Sequence, residues 1–212
     1  MIRENPPKQA RSRHTLHRLL SAAEALLEHG GLDAATVPAI AEAAGLSVGV
    51  VYRRFPDKDA LMRAVYERFF TTMRDQNLLR LKSVVALERP LPIVARAMIL
   101  GIAEGYRRKR GLLRALYQYA QTHPDPAFRR EARKMNRETM NAVLGLLLSH
   151  RNKIRHPNPE VAIGFGLLAV ASILKIVILE ESPDWLRMPE QLDEELVRLF
   201  FRYLGIREPR KH

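Results

Sequence analysis

Apolar residues recur at helical spacing along almost the whole chain, and no segment sustains the strict alternation of a strand. Leu16, Leu19, Leu20, Ala23, Leu26 and Leu27 mark one face of a first amphipathic helix, which Gly30-Gly31 should stop. Thr36 opens a short helix through Ala44 that Gly45 ends, and Ser47 opens and caps another, closed by Phe55-Pro56. Asp57 is a natural N-cap for a long fourth helix with Leu61, Val65, Phe69 and Met73 along one side. After the break at Arg89-Pro90-Leu91-Pro92, residues 93–106 are apolar on nearly all sides, which predicts a central, buried helix. A shorter helix follows over 111–121. Asp125-Pro126 and Asn158-Pro159 each set a capping side chain before a proline at the first helical position. They open helices that reach about Ser149 and span 161–179. Pro189 opens a last helix, 190–204, with Leu192, Leu196, Leu199, Phe200 and Tyr203 on one face. The pattern predicts an all-α chain of about nine helices.

Composition narrows the chemistry. The 212 residues are 47% hydrophobic, enough to bury a core in one or two small domains. Cysteine is absent, which removes disulfides, thiolate zinc sites and cysteine nucleophiles and fits a reducing cytoplasm. Residues 1–7 hold no apolar run, so no signal peptide is expected and the expected location is cytoplasmic. Lys and Arg number 35 against 23 Asp and Glu, a formal net charge of +12, and that balance points to polyanions. Arg3, Lys8, Arg11, Arg13 and Arg18 crowd the N-terminus, but the largest basic surplus lies in 103–155. Charge alone therefore fits DNA, or a basic helical interaction protein on an anionic membrane surface. Residues 161–179 approach the length of a membrane span, but Lys175 and Ser172 interrupt them, so a buried helix and no membrane are expected.

Residues 36–58 are the informative stretch. Two short helices are joined by a tight Gly45 turn, and Ile40, Ala41, Ala44, Leu46, Val51 and Phe55 supply a small shared core. This is helix-turn-helix grammar, in which the second helix enters the major groove. The run Ala41-x-x-Ala44-Gly45-Leu46-Ser47-x-Gly49-x-Val51-Tyr52-x-x-Phe55-x-x-Lys58-x-x-Leu61 resembles the signature of the TetR family of transcriptional regulators. The resemblance implies an N-terminal three-helix DNA-binding domain, here 11–60, and a larger ligand-binding and dimerisation domain, here 61–212. It implies a repressor that binds a roughly palindromic DNA operator as a homodimer and is released by a small-molecule effector. Carried over by position, the DNA neighbours are Thr36, Ser47, Val48, Gly49, Val50, Tyr52, Arg53, Arg54 and Lys58, with Tyr52 and Lys58 matching phosphate-contacting positions. Two departures matter. Pro38 replaces a basic reader found in some members, and Val48 and Val50 replace polar ones, leaving only contacts to thymine methyls. The resemblance also implies that helices 161–179 and 190–204 pair with their mates in the dimer, where small Gly and Ala positions would suit close packing.

Little else suggests chemistry. His14 and His17 share a helix face without a carboxylate, and His123, His150 and His156 fall at breaks, so no metal or cofactor is expected. With no phosphate loop or catalytic dyad, an enzyme is not expected. Arg107-Arg108-Lys109-Arg110 complements a helix C-terminus, or clamps an anionic effector. Met98, Tyr106, Tyr117, Met135, Met140 and Phe165 are candidates to line an effector cavity, or plain core.

Overall fold

The computed structural model describes residues 8–86, 89–179 and 192–207, which include nine α-helices and no strand. Arg3, Pro189, Glu190 and the basic tail after Arg207 lie outside the described residues. The chain divides into two compact units, 1–69 with 111–122, and 70–110 with 123–212.

The first unit holds α1 (Lys8–Ala34), α2 (Val37–Ala43), α3 (Val48–Tyr52), the start of α4 (Lys58–Ala86) and nearly all of α6 (Arg110–Thr122). The expected stop in the first helix is a break at Gly31, whose φ of 66° is left-handed and favours glycine. Leu19, Leu27, Ile40, Val51, Leu61 and Val65 are buried together as its core. Thr36 caps α2 through Ala39 N–H at 3.3 Å, and Asp57 caps the next helix through Ala60 N–H at 2.7 Å. Each such cap contributes about 1 kcal/mol. Ser47 sits at the N-cap of α3 but forms no side-chain cap bond, contrary to the expectation.

The inner face of α6 is buried through Leu112, Leu113, Ala115 and Leu116. Both of its ends are fastened within the first unit. The Glu28 carboxylate accepts Gly111 N–H at 3.3 Å and Leu112 N–H at 2.9 Å, which serves two of the otherwise unpaired donors at a helix start. Tyr119 donates its hydroxyl to Asp59 Oδ1 at 2.5 Å. Burial, reinforced by that carboxylate, pushes the Tyr119 phenol well above its usual range, so it keeps its proton.

In the second unit, α8 (Pro159–Leu174) packs on α5 (Leu91–Arg108), α7 (Pro126–Leu148) and α9 (Leu192–Leu204). Asp125 caps α7 and Asn158 caps α8, each ahead of its N1 proline as the sequence predicts. Expected as central, α5 is instead one-sided. Val94, Ala95, Ile99 and Ala103 are buried, while Ile93 is 41% exposed and Arg96 and Glu104 face solvent. A π-helical turn, Lys175–Leu179, continues α8. By length and composition the stretch Pro159–Val177 could span a membrane. Its inner side, Ala162, Ile163, Leu167, Val170 and Leu174, is buried against its neighbours. Gly166 serves the same chain rather than a mate, because a Cβ there would meet the Phe200 ring of α9 at 2.8 Å.

Candidate nucleic-acid interface

Local geometry fixes α3 against α2 before any long-range packing. Gly45 adopts a left-handed φ of 61°, Gly45 N–H reaches Glu42 O at 2.8 Å, and Leu46 N–H returns to Ala41 O at 2.9 Å. The carbonyls freed at the end of α2 are met from α1. Arg18 donates one guanidinium nitrogen to both Ala44 O and Gly45 O, the latter at 3.1 Å. Charge-assisted bonds of this kind are about twice as strong as neutral ones, so Arg18 locks the turn. Sequence reasoning counted Arg18 only as charge. A positive-φ glycine after a short helix is a signal that its carbonyls need a donor.

The helix α3 then splits into two faces. Val51 is 1% exposed and Phe55 8%, and these two hold the helix down. On the other side Ser47, Val48, Gly49, Tyr52 and Arg53 are exposed, with Val50 half-buried. Tyr52 stands 52% exposed on this open side. Thr36 is exposed at the start of α2, where its oxygen is engaged as the cap. Lys58 donates to Leu32 O at 3.3 Å, which leaves two of its three ammonium donors for a phosphate.

The two adjacent arginines differ. Arg54 turns back to α1, donating to Ser12 O at 3.0 Å and to Ser12 Oγ at 2.6 Å. The Arg53 side chain makes no hydrogen bond or ion pair among the described residues. The geometry thus gives Arg54 a positioning task and leaves Arg53 as the cation open to a ligand.

Comparison with known proteins agrees with this geometry. Residues 19–65 match the family described as bacterial regulatory proteins, tetR family, and residues 90–204 match the tetracyclin repressor-like C-terminal domain. The chain belongs to the TetR family. No curated protein sequence matches it. Among solved structures it resembles a Mesorhizobium loti protein assigned to the TetR family, with 22% identity over 92% of this chain and 95% of that one, at a TM-score of 0.67. A transcriptional regulator from Rhodococcus sp. Rha1 is 23% identical over 90% and 96% of the two chains, at a TM-score of 0.68. The fatty acid degradation regulator FadR from Bacillus halodurans is 14% identical over 90% and 99%, at a TM-score of 0.66. At these identities the likeness is one of fold. Membership makes the chain a DNA-binding transcriptional regulator of a non-enzymatic family in which homodimers and ligand response are typical.

The residues singled out for an effector cavity are dispersed. Met98 and Tyr106 are buried on α5, and Met135 and Met140 are half-buried on α7. Tyr117 belongs to the first unit. Phe165 lies on the open side of α8, 57% exposed, with its ring 5.3 Å from that of Tyr203. The basic run also separates. Arg107 forms a two-pronged pair with Asp193 at the start of α9, whose hydrogen bonds raise its pKa, and Arg108 reaches Glu104 at 3.5 Å. Arg107 is therefore committed within the fold.

Proposed function

We propose that this TetR-family chain is a cytoplasmic one-component repressor that binds a roughly palindromic operator as a homodimer and leaves it when a small-molecule effector binds. Residues 11–60 act as the DNA-binding domain, and residues 61–212 carry effector binding and dimerisation. The division of α3 into a buried anchor and an open face is the observation that carries this reading. The open face enters the major groove, with Ser47 and Arg53 as polar readers and Val48 and Val50 against thymine methyls. Gly49 keeps the surface low, while Tyr52, Lys58 and Thr36 approach the phosphate backbone.

A second copy completes the molecule. Val161, Phe165 and Leu168 on α8, with Leu199 and Tyr203 on α9, are large apolar side chains left 38–59% exposed. Phe165, Leu199 and Tyr203 line a groove of about 740 Å³ with a mainly apolar lining. The same face of a mate, related by a twofold axis, would cover this groove. Met98, Tyr106, Met135 and Met140 are the effector contacts we favour. Effector binding shifts α4, changes the separation of the two reading heads and weakens DNA binding.

Salt dependence tests the DNA face. Arg53→Ala and Lys58→Ala should each flatten the slope of log affinity against log salt by about one unit. Arg54→Ala should weaken binding at every salt concentration through the lost Ser12 anchor, with less change in slope. Unchanged slopes for both Arg53→Ala and Lys58→Ala would move the DNA surface elsewhere, for instance to the basic segment 103–155.

A further inference from the structure

A second concavity lies at the end of the second unit where α5 begins and where α7 and α9 end. It encloses about 770 Å³, within the range of small-molecule sites. Its frame is fixed by the backbone. Arg155 N–H donates to Leu204 O at 3.0 Å, and Ile206 N–H donates to Phe201 O at 2.9 Å. Gly205 has a left-handed φ of 67°, and a Cβ there would come within 2.7 Å of Arg155 Cβ, so the two segments touch. Leu91 and Ile206 are 2% and 7% exposed and form part of an apolar floor.

Four cations line this frame: Arg89, Lys153, Arg155 and Arg207. No acidic side chain is among the described residues that line it, and none of the four cations has an ion-pair partner among the described residues. Some exposed arginines elsewhere in the same unit are neutralised, as in Arg96–Glu194, Arg107–Asp193 and Arg198–Glu195. Clustered like charges around a concave wall of low dielectric focus a positive potential, which an anion relieves. Guanidinium groups match the paired oxygens of phosphate and carboxylate, and the apolar floor suits a compact carbon body.

We propose that this groove binds a small organic molecule bearing two or more oxyanion groups, as a site separate from the DNA-reading face. Pyrophosphate and citrate are probes for its phosphate and carboxylate forms. Titration of the full chain at about 0.1 M salt should show saturable binding of at least one of them, one per chain, with a Kd below about 1 mM. Whichever probe binds more tightly identifies the form. Paired replacement Arg155→Gln with Arg207→Gln should weaken binding about tenfold or more. Arg89→Gln with Lys153→Gln should do the same, which guards against a folding defect in either pair. Arg130→Gln with Arg133→Gln, equally exposed cations on α7, should leave it unchanged. Three results would overturn the proposal: no saturable binding of either probe, equal losses in all three pairs, or groove replacements that flatten the salt slope of duplex DNA binding without altering probe affinity. The probe titrations do not depend on Arg53 or Lys58, so the DNA-binding reading stands or falls separately from them.

Discussion

Gly111→Ala is expected to lower the stability of the first unit by about 2 kcal/mol. A Cβ at this position would lie 1.9 Å from the carbonyl oxygen of Glu28 and 2.8 Å from its carbonyl carbon. Both atoms are backbone, so no rotamer change relieves the clash, and the start of α6 must retreat from α1. Retreat stretches the bonds from the Glu28 carboxylate to Gly111 N–H and Leu112 N–H. Overpacking and a strained charge-assisted cap together cost about 3 kcal/mol, against about 1 kcal/mol recovered from helix propensity. Urea unfolding followed by circular dichroism measures the difference. Glu28→Gln, which keeps the shape and loses the charge, should cost about 1 kcal/mol. A Gly111→Ala protein as stable as the parent would mean that α1 and α6 do not approach this closely.

Leu168→Glu should convert a dimer to a folded monomer. Leu168 is 59% exposed in one copy, so a carboxylate there is solvated in the monomer and buried only in the proposed pair. The twofold axis presents the loss twice. At about 2 kcal/mol for each lost leucine, dissociation strengthens about a thousandfold, before any repulsion between the carboxylates. Sedimentation at micromolar concentration should give the monomer mass with an unchanged helical spectrum. Phe200→Glu is not an equivalent test, because Phe200 is fully buried within its own chain and its loss would unfold the second unit. A Leu168→Glu protein that remains dimeric would place the interface on another face.

Local rules carried much of this architecture. Thr36, Asp57, Asp125 and Asn158 all cap helices, two of them directly before prolines that fix the helix start, so these boundaries were readable from short stretches of sequence. The Gly45 turn was legible for the same reason. What escaped the sequence depends on partners distant along the chain. Arg54 resembles Arg53 in sequence, and only the position of Ser12, 42 residues earlier, separates their tasks. The small positions of helix 161–179 suggested room for a mate, yet at Gly166 the Phe200 ring of the same chain occupies that room. Periodicity also overstated the burial of α5, because an apolar residue such as Ile93 can face water at little cost when no neighbour covers it. The fastening of α6 by Glu28 and Tyr119 joins residues more than 50 positions apart and leaves no local trace.

The most direct test of the central claim is hydroxyl-radical footprinting on duplexes selected by the protein from random sequence. The account predicts a selected motif with dyad symmetry and two protected patches about one helical turn apart on one face of the DNA. Both patches should weaken together in Tyr52→Ala with Arg53→Ala, while the dimer persists. Selection without a dyad-symmetric motif, or a footprint unaltered by those two replacements, would contradict it.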